Sequence, residues 1–166
     1  MNTDLRFERV PLTHPDAQAL VEAVQAEYVV RYGGPDESPI DARDFDGPSG
    51  RFFVAYLDDT AVATGAWRRS SVKALGAEVT AEVKRMYVVP AAQRRGVARR
   101  MLRHLEATAA EEGIEAIVLE TGTQQPEAIA LYTSSGYEPV PGFGHYCGSE
   151  VSRCFARRIG PPPATA

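Results

Sequence analysis

The chain has 166 residues, 44% of them apolar, and a formal net charge of -4 at pH 7. This length suits one domain, which we expect over residues 1–159, with a flexible proline-rich tail at residues 160–166. The overall acidity argues against non-specific nucleic-acid binding. Charges interrupt residues 1–10, which therefore predict neither a signal peptide nor a membrane span, and we expect a cytoplasmic protein without a membrane partner.

The cysteines and histidines do not form a recognisable metal site. Cys147 and Cys154 match no metal-ligand pair and no redox motif, and the three histidines are scattered along the chain. We therefore predict two reduced thiols and no bound metal.

The first half of the chain predicts an antiparallel meander that follows one helix. Residues 5–10 alternate apolar and charged side chains as an outer strand would, and Asp16 is a plausible N-cap for a helix that runs to about residue 31. Residues 35–50 predict a loop, or a loop with one short helix. The apolar and β-branched runs that follow predict strands at residues 51–57, 61–69 and 79–89.

The second half of the chain predicts a helical crossover between parallel strands. An apolar pattern with helical spacing runs from about residue 94 to residue 112, and a nearly continuous apolar run at 114–121 predicts a buried strand parallel to the strand at 79–89. The remaining patterns predict a helix at residues 127–135 and closing strands at 137–140 and 150–158.

The turn between the strand at 79–89 and the helix after it is strongly basic. Seven of the eighteen basic residues lie between Lys84 and Arg103, and Gly96 and Ala98 are small enough for a ligand to approach the backbone closely. A helix start leaves N-H groups without partners and carries a partial positive charge. The turn therefore predicts a binding site for a small anionic ligand such as a phosphate group.

Two sequence blocks resemble one enzyme family. Residues 93–98 read Gln-Arg-Arg-Gly-Val-Ala and resemble the Q/R-x-x-G-x-G/A signature of the GCN5-related N-acetyltransferase (GNAT) superfamily. Residues 128–137 resemble its A-x-x-L-Y-x-x-x-G-F/Y segment, and the blocks stand at the usual separation. The resemblance implies a single-domain α/β fold with a mixed sheet, in which an antiparallel N-terminal meander precedes a parallel central strand pair splayed around an acyl-CoA site.

The resemblance also implies the site for acetyl-CoA as acyl donor. The pantetheine arm would bond to the strand edge at Tyr87, Val88 and Val89. Gln125 stands where the family often has an asparagine that contacts this arm, so Gln125 either makes that contact or only caps the following helix. The pyrophosphate would rest on the turn and helix start, made of Arg94, Arg95, Gly96, Val97, Ala98 and Arg99.

Direct acetyl transfer to an amine needs a proton acceptor, a polarised thioester carbonyl and a proton donor for the leaving thiolate. Glu82 is the first candidate for the base, although a glutamate on a strand face is usually a surface residue; Glu120, or water without a dedicated base, is the alternative. The N-H of Val88 or Val89 would polarise the carbonyl. Tyr132 is the candidate acid, because a phenol is protonated at neutral pH, although it could simply pack the second helix on the sheet.

The acceptor pocket is expected between the segment at residues 28–45, the hairpin at residues 67–68 and the loop at residues 143–146. We expect a small-molecule amine, or a peptide or protein amine, and leave a homodimer open. Strand alternation points Arg85 away from Glu82, which predicts a surface or interface charge. Aromatic rings, with the carboxylates Asp36, Glu37, Asp41 and Asp44 nearby, would suit an amine with an apolar portion. The side chains expected to contact the acceptor are Tyr28, Trp67, Glu120 and Tyr146.

Three other interpretations compete with direct transfer. A non-catalytic domain that binds or senses acyl-CoA would keep the same donor site. A covalent acyl-thiol mechanism would use Cys147, but His145 alone is weak evidence for its base. A nucleotide-binding protein would need a G-x-x-x-x-G-K-S/T loop, which the sequence lacks.

Overall fold

The computed structural model describes residues 4–35, 41–143, 148–150 and 152–160. Within them, seven strands form one mixed sheet and three helices cover its faces. The helices are α1 (Pro15–Tyr32), α2 (Val97–Glu111) and α3 (Pro126–Ser134). The strands are β1 (Leu5–Arg9), β2 (Gly50–Leu57), β3 (Thr60–Ser70), β4 (Thr80–Val88), β5 (Ala116–Gly122), β6 (Glu138–Pro139) and β7 (Ser152–Arg158). The segment before β2 contains two short 3-10 turns, Ala42–Phe45 and Gly47–Ser49.

The order of strands across the sheet is β1-β2-β3-β4-β5-β7-β6. Every neighbouring pair is antiparallel except β4 and β5, which are parallel. The chain between β4 and β5 forms α2, and such a crossover brings the second strand back in the same direction. The predicted fold class, a mixed α/β sheet with an antiparallel meander and a parallel central pair, is confirmed.

Helix α1 covers one face of the sheet. Its buried residues are Ala17, Leu20 and Val24, and the first two belong to a cluster that includes side chains of β2 and β3. Its start differs from the prediction, because Nδ1 of His14, rather than Asp16, accepts the hydrogen bond from the Asp16 backbone N-H, at 3.1 Å. The Asp16 carboxylate instead accepts a hydrogen bond of 2.7 Å from the Tyr56 hydroxyl, which joins the helix start to β2.

Helices α2 and α3 cover the opposite face. The largest apolar side chains of α2, Met101, Leu102 and Leu105, are fully buried there with Trp67 of β3. Helix α2 begins at Val97, three residues later than the pattern predicted. The preceding turn holds Arg94 and Gly96 at φ values of 63° and 78°, which a right-handed helix cannot contain.

A buried ionic network joins α2 to the end of the sheet. The Glu106 carboxylate, whose side chain is 7% exposed, accepts hydrogen bonds from Arg103 at 2.8 Å and from Arg157 at 2.7 Å. Its other oxygen accepts a 2.8 Å bond from the Tyr137 hydroxyl. A buried carboxylate is tolerated when its oxygens are satisfied in this way, so the network stabilises the packing of α2 against β7.

In the part of the chain that the structure describes, none of the helices has the combination of length and apolar character that a bilayer crossing requires.

Candidate active site

The two parallel strands separate partway along their length and leave a cavity between them. Their pairing ends where Glu82 of β4 faces Val118 of β5, although β4 continues to Val88 and β5 to Gly122. The cavity has a volume of about 690 Å³. Its walls come from residues 83–86 of β4, residues 119–122 of β5, the end of α1, and Tyr132 of α3. The gap therefore connects the α3 side of the sheet to the α1 side.

A β-bulge in β4 determines which side chains face this cavity. The pairing of β3 with β4 shifts register between Thr64 and Ala66, and Arg85 takes a φ of 56°. The Thr64 hydroxyl donates a 2.7 Å hydrogen bond to the Arg85 carbonyl and holds the bulge in place. Strict alternation is lost, so Lys84, Arg85 and Met86 all line the cavity. Arg85, predicted as a surface or interface charge, is half-buried and contributes to the cavity wall.

Beyond the bulge, the backbone N-H of Val88 points from the edge of β4 toward the gap. The Val89 N-H is already used, because it donates a 2.9 Å hydrogen bond to the Val62 carbonyl across the β3 pairing. Backbone groups alternate along a strand, so the Val88 N-H points away from β3 and toward the gap. Of the two donors considered from the sequence, the geometry favours Val88. The side chain of Tyr87 packs on the α1 side of the sheet.

The turn that follows β4 has the geometry of an anion site. Gly96 is the N-cap of α2 and makes no side-chain cap bond, and the space around its α-carbon is open. The first N-H groups of a helix have no intrahelical partner, so the N-H groups of Val97, Ala98 and Arg99 can bind a phosphate oxygen. Together with the positive φ of Arg94, this leaves room for a pyrophosphate group against the backbone. Arg95 is an exposed residue of the same turn.

The side chain of Arg99 does not point freely into this turn. Its guanidinium donates hydrogen bonds of 2.9 Å to the Ser135 hydroxyl and 2.8 Å to the Ser134 hydroxyl. These bonds join the start of α2 to the end of α3. Arg99 thus links the block at residues 93–98 to the block at residues 128–137.

Tyr132 lies in α3 and lines the cavity. Its side chain is buried and its ring packs edge-on against Tyr137, with 5.8 Å between the ring centroids. Burial, and to a smaller extent the neighbouring Tyr28, raises the pKa of the Tyr132 hydroxyl well above its usual value. The phenol is therefore protonated at neutral pH and can donate a proton to a group in the cavity.

Glu82 lies where the strands begin to separate, beside Val83, but it is not itself part of the cavity wall. Its side chain is 12% exposed. Arg68 donates two hydrogen bonds to the same carboxylate oxygen, Oε1, at 3.3 Å and 3.1 Å. Arg68 also bonds Asp44 at 2.9 Å, so Glu82 is held at one oxygen by a fixed guanidinium. Among the described residues, no hydrogen bond reaches the second oxygen, Oε2.

Glu120 is part of the cavity wall. It lies two residues beyond Val118 on β5, just as Lys84 lies two residues beyond Glu82 on β4, so Glu120 and Lys84 face each other across the gap on the α1 side. The thiol of the buried Cys154 approaches Oε2 of Glu120 at 3.9 Å. Two carboxylates therefore stand on this face, one in the cavity wall and one at the point where the strands part.

The end of α1 closes the cavity on that side, and the sequence predicted only Tyr28 of this wall. The Tyr32 hydroxyl lies against Gly122, where any side chain would overlap it, and accepts a 3.2 Å hydrogen bond from the Gln124 N-H. Arg31 donates to the Gln124 carbonyl at 3.0 Å. The glycine at the end of an apolar strand pattern was the available signal, because it marks a close approach by another group.

The structure separates the remaining predicted acceptor residues. Trp67 is fully buried on the α2 face, where its Nε1 donates a 3.0 Å hydrogen bond to the Thr108 hydroxyl. Its position in β3 turns the side chain toward α2, so Trp67 does not line the cavity. Tyr146, with His145, Cys147, Asp36 and Glu37, lies outside the described residues.

Two further predictions concern carboxylates and the amide before α3. Asp41 bonds Arg43 at 2.9 Å and Asp44 bonds Arg68, so both carboxylates already have cationic partners. Gln125 does line the cavity, and it is the N-cap residue of α3 without a side-chain cap bond. Its amide therefore makes no capping bond to α3.

Comparison with known proteins gives one consistent result. Residues 17–137 match the Acetyltransferase (GNAT) family. IAA acetyltransferase of Azospirillum brasilense is 36% identical over 137 residues, which are 80% of this chain and 85% of that protein. A Klebsiella pneumoniae structure assigned as an acyl-CoA N-acyltransferase has a TM-score of 0.77 at 25% identity, over 95% of this chain and 99% of that chain.

A third protein is similar in fold alone. PaiA N-acetyltransferase from Thermoplasma acidophilum, solved in complex with coenzyme A, has a TM-score of 0.68 at 14% identity, over 93% of this chain and 99% of that chain. The sequence match spans most of the chain and includes both blocks and the strands that form the cavity. This chain therefore belongs to the Acetyltransferase (GNAT) family, whose members are acyltransferases that use acetyl-CoA.

Proposed function

We propose that this protein transfers the acetyl group of acetyl-CoA directly to a primary amine of a small molecule, with both substrates bound at once. The observation that carries the proposal is the cavity between β4 and β5. Tyr132 and Glu120 line this space of about 690 Å³. The Val88 N-H, farther along β4, points away from β3 toward the gap between the two strands. A donor can enter from one side of the sheet and an acceptor from the other.

The donor site is formed by backbone groups. The open turn at Gly96 and the first N-H groups of α2 suit the pyrophosphate, and the exposed edge of β4 suits the amide groups of the pantetheine arm. The Val88 N-H is then a donor for the thioester carbonyl oxygen, which gains negative charge when the amine attacks. The Val88 N-H needs no rearrangement to act as this donor, because the pairing with β3 already fixes the position of β4.

Two side chains move protons in this proposal. Oε2 of Glu82 accepts a proton from the acceptor ammonium through an intervening water, because the carboxylate lies just behind the cavity wall. Arg68 holds the other oxygen and so orients the base. Tyr132 donates its hydroxyl proton to the departing sulfur, and the tyrosinate that remains takes up the proton that the nitrogen loses as the amide forms. Burial raises the pKa of this phenol, so Tyr132 is protonated before the reaction begins.

The proposal is tested by incubating the protein with acetyl-CoA and a panel of primary amines while free thiol is measured. We expect thiol release that depends on the amine, and an acetylated product in a mass spectrum. The competing function, a domain that only binds or senses acyl-CoA, predicts tight acetyl-CoA binding by calorimetry and no thiol release with any amine.

The proton donor is tested by Tyr132→Phe. This variant keeps the buried ring and removes the hydroxyl, so we expect kcat to fall by about 10- to 100-fold with little change in acetyl-CoA affinity. The matched control is Tyr137→Phe, whose hydroxyl bonds Glu106 and does not line the cavity. Equal kcat values for wild type and Tyr132→Phe would leave Tyr132 with a packing role only.

A further inference from the structure

Helix α3 carries the proposed proton donor, although few of its side chains are buried. Tyr132 is the only buried residue of this helix. Three of its other apolar side chains, Ala128, Ile129 and Leu131, are only partly buried against the core. A phenol carried by a short helix moves with that helix, and a displacement of about 1 Å can be enough to lose a productive geometry. Contacts other than apolar burial are therefore needed to fix Tyr132 at the cavity.

One guanidinium joins the end of α3 to the start of α2. Arg99 donates hydrogen bonds of 2.9 Å to the Ser135 hydroxyl and 2.8 Å to the Ser134 hydroxyl. Ser135 is almost completely buried, and its backbone N-H donates a 3.1 Å hydrogen bond to the Tyr132 carbonyl. The partial negative charge at the C-terminus of a helix also favours a cation at this place. The bonds from Arg99 therefore reach the backbone of Tyr132 through a single residue.

A polar contact at the opposite end of α3 is more exposed. Glu127 bonds Arg31 of α1 at 2.7 Å, and 63% of the Glu127 side chain is exposed. Exposed ion pairs contribute little, because solvent and salt screen them. The bond from Arg99 to Ser135 is partly buried and charge-assisted, so it is the stronger constraint on the position of α3.

Resting on the proposed function, we propose that Arg99 is a positioning residue whose side chain fixes α3 against α2 and so holds Tyr132 at the cavity wall. Arg99 is not part of that wall, and it acts through Ser135 and Tyr132. Its backbone N-H belongs to the first turn of α2, where the pyrophosphate of the donor is proposed to bind. One residue therefore relates the place where the donor is anchored to the group that protonates the departing sulfur.

Two other roles for Arg99 predict different results. If the guanidinium bound a phosphate of the donor, its loss would matter only for donors that carry the pyrophosphate. If it only stabilised the fold, its loss would lower Tm and leave the contribution of Tyr132 to kcat unchanged. The donors that separate these roles are acetyl-CoA and acetyl-pantetheine, which keeps the thioester and its arm but lacks the pyrophosphate.

The first test measures thiol release with both donors. We expect Arg99→Gln to lower kcat/KM about 5- to 50-fold with acetyl-CoA and by a similar factor with acetyl-pantetheine, with little change in acetyl-CoA affinity by calorimetry. A loss confined to acetyl-CoA would identify a phosphate ligand and overturn the proposal. The matched control is Arg100→Gln, which removes the neighbouring exposed cation of α2 and should keep the wild-type rate.

A double-mutant cycle with Tyr132 separates positioning from stability. In a Tyr132→Phe background no phenol remains to be positioned, so Arg99→Gln should change kcat by less than about twofold. Equal losses in both backgrounds would show that Arg99 acts without Tyr132, which overturns the proposal. If Arg99→Gln does not fold, Ser134→Ala combined with Ser135→Ala removes both acceptor hydroxyls instead. A wild-type kcat in that double variant also overturns the proposal.

A measurement without turnover keeps this inference separate from the proposed function. Amide hydrogen exchange of residues 126–137 is followed by mass spectrometry with coenzyme A bound. We expect exchange about fivefold or more faster in Arg99→Gln than in the wild type, with unchanged exchange in β2 and β3. If no amine releases thiol from the wild type, the proposed function fails and this result alone decides the role of Arg99. Faster exchange confined to α3 then supports the inference, and unchanged exchange overturns it.

Discussion

Replacement of Glu82 by glutamine is the sharpest test of the proposed base. Glutamine has nearly the same volume, and its amide oxygen can accept the two hydrogen bonds that Arg68 now donates to Oε1 at 3.3 Å and 3.1 Å. Arg68 keeps its bond to Asp44 as well. The substitution therefore removes the proton-accepting charge and leaves the local packing and the cavity wall as they are.

The size of the effect follows from the protonation of the acceptor. An alkyl ammonium has a pKa near 10.4, so only about one molecule in 1,000 is unprotonated at pH 7.4. A protein without the base depends on this minor form, and we expect kcat for Glu82→Gln to fall by about 100- to 1,000-fold. At pH values below the pKa, the fraction of free amine rises about tenfold for each unit by which the pH increases. The kcat of the variant should therefore recover roughly 100-fold between pH 7.5 and pH 9.5.

The assay is initial thiol release at saturating acetyl-CoA over this pH range. Glu120→Gln is the matched control: it removes the carboxylate of the cavity wall, so it should raise the acceptor KM and keep the pH profile of the wild type. Unchanged kcat and an unchanged pH profile in Glu82→Gln would refute the role of Glu82. If Glu120→Gln instead showed the steep recovery with pH, the base would be Glu120.

Three further predictions concern the packing that supports the site. Tyr137→Phe removes the 2.8 Å hydrogen bond to the buried Glu106 carboxylate, which we expect to cost about 1.5–3 kcal/mol of unfolding free energy and to lower Tm by about 3–12 °C in calorimetry. Gly122→Ala places a methyl group on the Tyr32 hydroxyl, so α1 must shift away from β5; we expect a raised acceptor KM, measured by thiol release, and a lower Tm. Burial lowers the pKa of His104, so the folded protein favours the neutral imidazole. The stability that comes from keeping His104 neutral is fully present above a pH of about 6.5, and it is lost as the pH falls through the lowered pKa. His104→Phe should therefore lose less stability than the wild type between pH 7.5 and pH 5, as measured by urea unfolding.

Each of these predictions has a contradicting outcome. Tyr137→Phe made in a Glu106→Gln background should cost less than in the wild type, and equal costs would show that the hydroxyl and the carboxylate are not coupled. Gly34→Ala is the control for Gly122→Ala, because its added methyl group meets no atom within 4 Å, and a similar KM change in both would exclude the contact with Tyr32. The role of His104 fails if wild type and His104→Phe lose stability in parallel as the pH falls.

The order of helices and strands could be predicted because its signals are local. The strand predicted at residues 79–89 is observed as Thr80–Val88, and the helix predicted at 127–135 is observed as Pro126–Ser134. Alternation, helical spacing and the Gly and Pro positions act within a few residues. The helix predicted from residue 94 begins at Val97 because apolar spacing carries no information about the positive φ values at Arg94 and Gly96.

The positions of the site side chains depended on contacts between distant residues. Arg85 reaches the cavity because the register of β3 against β4 leaves one residue unpaired, and no pattern within β4 alone encodes that register. Trp67 is removed from the acceptor side because α2 covers that face of β3. The first fact places a cation where a surface charge was expected, and the second removes an expected pocket residue.

The sequence by itself determined the succession of elements, the basic turn at residues 93–98 and the second block that ends at Tyr137, and these were sufficient to recognise the family. The tertiary structure decided that β4 and β5 part after Glu82 and Val118 and that Tyr32 closes on Gly122. The physical reason is range: backbone preference and side-chain period act between near neighbours, whereas strand register and helix docking are set by burial and hydrogen bonding between segments far apart in the chain.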